Sequence, residues 1–321
     1  MDGKKILVID ANNLYIRNYV MNPAVSTSGD PIGGVFGFIK SLQKLCREIK
    51  PNRIVICWDG KGGSTKRRVV NKNYKDGRKP LRLNRNVQIL EGDDELKNKI
   101  WQMTRLAEYL NKMPVIQILL DSVEADDIIS AVVGHTDLND YYKVIVSNDK
   151  DFIQLCNSKT ILYRPVKDEY LNTKRIIQEY GVHPNNFCLV RAISGDKSDN
   201  LGGVGGAGIP TISKRIPQVK EEKSLMLQEI FDYCASIDSD IKLYKNICDN
   251  QDLIKENYKL MQLYSPSISI QDSQKIDYAL NNSECTFQKT DIVKMMLQDG
   301  FGQNNWEELF IQMHKIVLEN C

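Results

Sequence analysis

KILVID, residues 5–10, is a short β-branched run that stops on an acid. The pattern recurs down the first half of the chain. RIVICW (53–58) is followed by Asp59, PVIQILLDSV (114–123) by Glu124, Asp126 and Asp127, and KVIVSN (143–148) by Asp149 and Asp151. Asp196 and Asp199 lie in ISGDKSDN (193–200). Apolar strand-like runs alternating with helical periodicity predict parallel βαβ units. The expected fold class is therefore α/β, with a mostly parallel central sheet flanked by helices. Strands are expected at 4–9, 53–58, 114–119, 143–147 and 160–164, and helices at about 34–49, 95–112, 124–134, 173–180 and 185–194. Val35, Phe36, Ile39, Leu42, Leu45, Cys46 and Ile49 show the 3.6-residue period of an amphipathic helix.

In an open α/β sheet, ligand sites form beyond the carboxyl ends of the strands. Folding would bring these nine acids to one rim, where they repel each other unless a cation neutralises them. A lone acid after a strand is an ordinary turn former or helix cap. EADD (124–127) is compatible with an acidic first helical turn. Neither reading accounts for the paired acids of NDKDF and GDKSDN. Oxygen ligands suit Mg²⁺ or Mn²⁺, each of which takes few direct carboxylates and keeps several waters. Two such ions about 4 Å apart can position an attacking water and stabilise a leaving phosphodiester oxygen. No Ser/His/Asp triad or reactive-cysteine pattern competes for the chemistry.

The 321 residues carry a formal net charge of only +2, which conceals a local imbalance. Lys61, Lys66, Arg67, Arg68, Lys72, Lys75, Arg78, Lys79, Arg82 and Arg85 fall within one stretch, opposed by Asp76 alone. Residues 61–94 are too long and too charged for an ordinary βα connection, and such segments are usually functional. A basic patch beside an acidic rim attracts phosphates through counterion release. Lys75 and Arg78 would share a face if the piece is helical. Tyr74 is either a surface tyrosine or a platform for an unpaired base.

Eight cysteines are scattered, with no CxxC and no Cys/His spacing that suits zinc. Cys46, Cys57, Cys156, Cys188 and Cys234 sit in apolar patterns and read as buried thiols of a reducing compartment. No signal peptide is evident, and no apolar run approaches the roughly 20 residues of a membrane span. A soluble intracellular protein is expected. Beyond the glycine-rich LGGVGGAGIP (201–210), helices are expected at about 218–235, 252–264, 290–299 and 304–319, with a loop at SPSISIQDS (265–273).

VIDANNLYIR, CWDG with YKDGR beyond it, VEADDII, SNDKDF, GDKSDN and GGVGGAG occur in this order. The series resembles the 5′-nuclease superfamily, in particular phage flap endonucleases (5′–3′ exonucleases) and the 5′-nuclease domain of bacterial DNA polymerase I. The likeness covers residues 4 to about 216. It implies that Asp10, Asp59, Glu124, Asp126 and Asp127 serve one metal ion, and Asp149, Asp151, Asp196 and Asp199 a second. The ions would be Mg²⁺, with Mn²⁺ able to substitute.

Arg17, Lys75 and Arg78 then contact the scissile phosphate, and a basic helical arch passes a single 5′ strand. Lys66, Arg67, Arg68 and Tyr74 are expected to meet nucleic acid along that arch. GGVGGAG resembles the family's helix-two-turn-helix, at about 196–216, which grips duplex backbone and can hold K⁺. Gly203, Gly205, Gly206, Gly208, Lys214 and Arg215 would be its contacts. Close glycines let backbone N–H groups approach a phosphate, and Pro210 suits a first helical turn. Pro217 would end that helix early, a departure that bears on the duplex grip.

The expected organisation is a nuclease core over 1–195, including the arch at 61–94, and a helical duplex-binding region over 196–321. The expected activity is structure-specific cleavage of 5′-flap, nicked or RNA-primed duplex DNA, by a monomer in the cytoplasm, the host's if the source is viral. Branched or nicked DNA, or an RNA–DNA hybrid, is the partner, and no membrane. Two other readings are a PIN-like ribonuclease and an inactive paralogue that binds branched DNA. PIN domains are shorter and lack the basic insertion and glycine-rich turn. An inactive paralogue would be expected to lose acids, whereas all nine positions keep one.

Overall fold

A computed structural model describes residues 3–76, 90, 92–282 and 285–320. Arg78, Lys79, Arg82 and Arg85 lie outside the described residues. The sheet has six strands, β1 (Lys5–Asp10), β2 (Arg53–Trp58), β3 (Ile116–Leu119), β4 (Tyr142–Val146), β5 (Thr160–Arg164) and β6 (Glu169–Leu171). Their order is β3-β2-β1-β4-β5-β6. The first five are parallel, while β6 pairs antiparallel with β5.

The two-residue period of β1 sorts its side chains into two cores. Ile6 and Val8 join Val55, Cys57 and Ile145 under α5 (Ala125–Val133) on one face. Leu7 and Ile9 join Ile54, Ile56, Val144 and Val146 on the other. That second face is covered by α1 (Ala11–Met21), α2 (Gly33–Ile49), α4 (Gly92–Leu110), and the late helices α13 (Lys289–Gln298) and α14 (Glu307–Asn320). The first core continues without a break past residue 196, through Val204, Ile212, Ile247 and Ile254. The five apolar-pattern cysteines are all buried. Among the described residues, no helix is long and apolar enough to cross a membrane.

Several sequence expectations need correction. α1 was not foreseen: Asp10 caps it by accepting from the Asn13 N–H at 3.0 Å, and it buries Leu14, Tyr15, Asn18 and Tyr19. β3 starts at Ile116 rather than 114, where Pro114 has no N–H to pair. The stretch 218–235 is not one helix. A 3₁₀ turn spans Pro217–Lys220, and α9 begins only at Leu227.

SPSISIQDS is only partly loop, since Ser269 accepts from the Asp272 N–H at 3.1 Å and starts α12 (Ile270–Asn282). α10 (Lys242–Asp249) was also missed, and α11 spans Gln251–Met261. Among the described residues 61–76 of the basic segment, the helix α3 covers Thr65–Val70. Lys75 sits in a turn with φ 58°, and Arg78, expected to share a helical face with it, lies outside the described residues. As Pro217 foretold, the helix α8 after the glycine-rich turn is short, Ile209–Arg215.

Gly60 fixes how β2 delivers Asp59 to the rim. A Cβ there would stand 1.7 Å from the Leu120 carbonyl oxygen, so the two connections must cross at backbone distance. Gly60→Ala should therefore destabilise the fold by about 2 kcal/mol or more. A urea midpoint equal to that of the wild type would contradict this reading of the crossing.

Candidate metal centre and nucleic-acid interface

The strand order reverses at β1: β2 lies on one side of it and β4 on the other. That is the switch point at which an open α/β sheet leaves a crevice. Asp10 ends β1, and Asp149 follows β4. Asp59 follows β2, and Asp126 stands in the first turn of α5. With Asn12, Asn13, Ile16, Arg17, Lys75, Asn148 and Ser198 these four acids line one cleft of about 570 Å³.

Three of the four acids, Asp10, Asp59 and Asp149, are held by neutral donors. The Ser147 hydroxyl donates to Asp10 at 2.9 Å. Asp59 accepts from the Asn12 amide at 2.7 Å and from the Ala125 N–H at 2.8 Å. Asp149 accepts from the Asp151 N–H at 2.9 Å. The Asn13 amide oxygen accepts from the Asn148 N–H at 3.1 Å and its side chain at 2.8 Å, which ties the β1 and β4 loops together.

Burial, then the neighbouring Asp59 and Asp149, push the Asp10 carboxyl up to about 7 against opposing hydrogen bonds. Burial and Asp151 push Asp149 up to about 7, and burial and Asp149 hold Asp126 well above the carboxylate range. Crowded carboxylates of this kind favour a divalent cation among them. All the donors are hard oxygens, the preference of Mg²⁺ and Mn²⁺. Beside them the Asn12 side-chain oxygen is buried with no donor among the described residues. Among the described residues, no three acidic, histidine or cysteine side chains are gathered tightly enough to hold an ion by themselves. The fit is thus to an ion that takes one or two carboxylates and completes its shell with water.

The other five predicted ligands are placed differently. Glu124 receives the Lys75 ammonium at 2.7 Å and the Arg67 guanidinium. Arg67 also reaches Asp127 at 2.9 Å, and Asp127 accepts from the Ser267 N–H at 3.1 Å. Asp151 and Asp196 share Arg191, which stands 3.1 Å from Asp151 and bonds Asp196 through its other arm. The Asp199 carbonyl accepts from the Lys75 N–H at 3.0 Å. The nine acids therefore divide into four that face the open cleft and a surrounding set tied largely to cations.

Two of those cations change the sequence reading. Arg67 is not a free phosphate contact: it is half-buried and bonds Glu124, Asp127 and the Leu260 carbonyl. Arg191 was missed altogether, although a single charge inside the apolar FCLVRAIS (187–194) was a visible signal. Tyr74 is also corrected. It is 3% exposed, packed with Cys188, Leu201, Leu260 and Met261, with its hydroxyl 3.4 Å from Glu124, so it presents no face to a base.

Lys66 is exposed and donates to the Ser267 carbonyl at 2.6 Å, and Arg68 is exposed near Asp76. Lys75 and Arg17 both face the cleft. The surrounding Asp126 and Glu124 carboxylates outweigh burial and raise the Lys75 pKa, so its ammonium stays charged.

In the glycine-rich turn, Gly203 is required by packing, since a Cβ would lie 2.0 Å from the Ser194 carbonyl oxygen. Gly205, Gly206 and Gly208 are exposed, and Gly206 has φ 78°. Lys214 is exposed and Arg215 half-buried on α8.

Arg67→Met would leave the buried carboxylates of Glu124 and Asp127 with Lys75 as the only paired counter-charge among the described residues. Breaking a buried pair from one side costs about 3–5 kcal/mol. The unfolding free energy from urea titration should fall by an amount near the lower end of that range, and an unchanged midpoint would remove Arg67 from this role.

The family model described as "5'-3' exonuclease, N-terminal resolvase-like domain" matches residues 5–181. DNA polymerase I of Bacillus subtilis is 28% identical over 230 residues, covering 70% of this chain but 24% of that protein. The chain thus spans about a quarter of the length of that relative. Flap endonuclease Xni of a Shewanella species is 27% identical over 259 residues, covering 81% of this chain and 90% of Xni. Among solved structures, bacteriophage T5 flap endonuclease in a pseudo-enzyme-product complex with DNA and metal ions has the same fold. Its TM-score is 0.64 at 18% identity, covering 93% of this chain and all of that one. With more than half of its 321 residues matched, the chain belongs to the 5′–3′ exonuclease family defined by that N-terminal resolvase-like domain.

Proposed function

We propose that the protein is a divalent-metal-dependent 5′ nuclease that hydrolyses phosphodiester bonds of 5′-flap, nicked or RNA-primed duplex DNA. The observation that carries this reading is the convergence of Asp10, Asp59, Asp126 and Asp149 with Lys75 and Arg17 on one cleft at the switch point of the sheet. The relatives and the solved neighbour are named as exonucleases, flap endonucleases and a complex with DNA and metal ions, which supports the same substrate class.

Two Mg²⁺ ions, replaceable by Mn²⁺, would be held by these four acids together with Asp151 and Asp196, with Asp199, Glu124 and Asp127 around them. When bound, such ions supply Lewis acidity and a deprotonated water at neutral pH. The chain's own residues do the rest. Lys75 exchanges its partner Glu124 for a phosphoryl oxygen, and Arg17 neutralises charge from the α1 side. Water adds to phosphorus and the bond to the 3′ oxygen breaks, so the released 5′ strand ends in a 3′-hydroxyl and the downstream strand keeps a 5′-phosphate. The exposed Gly205, Gly206 and Gly208 with Lys214 and Arg215 would lie along duplex backbone, and K⁺ is a candidate ligand of that turn. A monomer is sufficient for this reading.

Labelled 5′-flap, nicked and RNA–DNA duplexes incubated with Mg²⁺ should be cut at or near the junction, and EDTA should abolish cutting. Preference for plain single-stranded RNA would overturn the assignment. Asp126→Asn should reduce turnover by about 10³-fold or more, in line with loss of a transition-state electrostatic contact. Lys75→Ala should slow cleavage far more than it weakens binding, and equal losses would deny Lys75 its part at the phosphate.

Mg²⁺ should also stabilise the fold in a pH-dependent way. Asp10 and Asp149 are raised above the unfolded carboxylate value, so between about 4 and 7 the folded state binds more protons and loses stability as pH rises. Above that window the ionised cluster accepts Mg²⁺ without proton release, so melting temperature should respond to Mg²⁺ more at pH 8 than at pH 5. An equal response at both would separate these acids from ion binding.

A further inference from the structure

Arg191 projects from α7 (Phe187–Ser194), an otherwise apolar helix, and is 8% exposed. Its guanidinium bonds three acceptors: Asp151 at 3.1 Å, Asp196, and the Gly195 carbonyl at 3.3 Å. Asp196 has no oxygen to spare. One carboxylate oxygen takes the Ser198 N–H at 2.8 Å and the Ser198 hydroxyl at 2.6 Å, and the other takes Arg191. Its backbone is pinned as well, by reciprocal bonds with Leu201 at 2.9 and 2.7 Å. A cation approaching this pair therefore meets a fixed carboxylate and a movable guanidinium. By contrast, Asp10, Asp59, Asp126 and Asp149 make no ion pair among the described residues.

We propose that Arg191 is a positioning residue that makes the two ends of the acidic rim unequal: it serves Asp151 and Asp196 as a resident monovalent cation, so that a divalent ion enters there weakly and in exchange for the guanidinium. The open cleft takes the tighter ion, because none of its four carboxylates is held in an ion pair among the described residues. An arginine suits the resident role, since its planar fork spans two carboxylates and never loses its proton. A second ion held this loosely joins most readily when an incoming phosphate offers the guanidinium another partner. The inference rests on reading the rim as an ion site, and the experiment separates the two.

Mn²⁺ binding to the whole protein without DNA, followed by calorimetry and by electron paramagnetic resonance of free Mn²⁺, counts ions and ranks their affinities. Wild type should show one tighter and one weaker ion. Arg191→Gln, which keeps a donor for one carboxylate but removes the charge, should tighten the weaker ion by tenfold or more. Arg191→Lys should stay near wild type. Melting in EDTA reports whether each variant is folded, and Asp151→Asn in the Arg191→Gln background should reverse the gain. A weaker ion that is unchanged or lost in folded Arg191→Gln overturns the role of Arg191 alone. A wild-type protein that binds no Mn²⁺ overturns the ion site itself, and this inference with it.

Discussion

Like-charge repulsion at the switch point of the sheet is the constraint around which this molecule is arranged. Parallel strands end on acids, the strand order opens a crevice, and the crevice collects carboxylates that cannot all be ionised side by side without compensation. The chain answers in two ways. Close to the crevice it supplies hydroxyl, amide and backbone donors, which orient the acids and leave their charge uncancelled. Further out it supplies Arg67, Lys75 and Arg191, which cancel charge directly. What remains uncancelled is concentrated where a divalent ion and a phosphodiester would meet.

The basic segment contributes to this balance from inside. Its first limb is fastened to the body of the protein by Lys66 to Ser267, Arg67 to Leu260, and Asn71 to Glu256 at 2.9 Å. Asn200 donates to the Asn73 carbonyl at 3.0 Å from the opposite side. Lys75 is thereby held over the cleft in a left-handed turn, with its ammonium on Glu124 and its N–H on Asp199. The charges that looked like a uniform surface patch thus split into anchors and working groups.

The strands at β1, β2 and β4 were legible because β-branched runs that lead into acids leave little else to read. The positions of Asp10, Asp59, Asp126 and Asp149 followed from the general place of ligand sites in such sheets. What the sequence hid was pairing. Arg67 lies between Lys66 and Arg68, and nothing in that string distinguishes the one paired with Glu124 and Asp127. Tyr74 was ambiguous for the same reason, since a tyrosine among lysines reads as exposed until its apolar neighbours arrive from α7, the 201 turn and α11. Local signals also failed where side chains cap helices rather than fill them, as Ser269 does for α12 and Asp10 for α1.

The closing helix α14 carries a consequence of a different kind. Leu309, Met313 and Ile316 complete the same apolar layer as Leu7 and Ile9, and Phe36 meets Phe301 and Trp306 edge-on at 5.4 and 5.6 Å. Gln312 and Asn320 donate to the Pro51 and Asn52 carbonyls at 3.0 and 2.7 Å. Contacts this distant in sequence are slow to form, because long loops must close before they are rewarded. During synthesis, the layer over Leu7 and Ile9 therefore stays incomplete after α1 and α2 have docked, until α14 has emerged to join it.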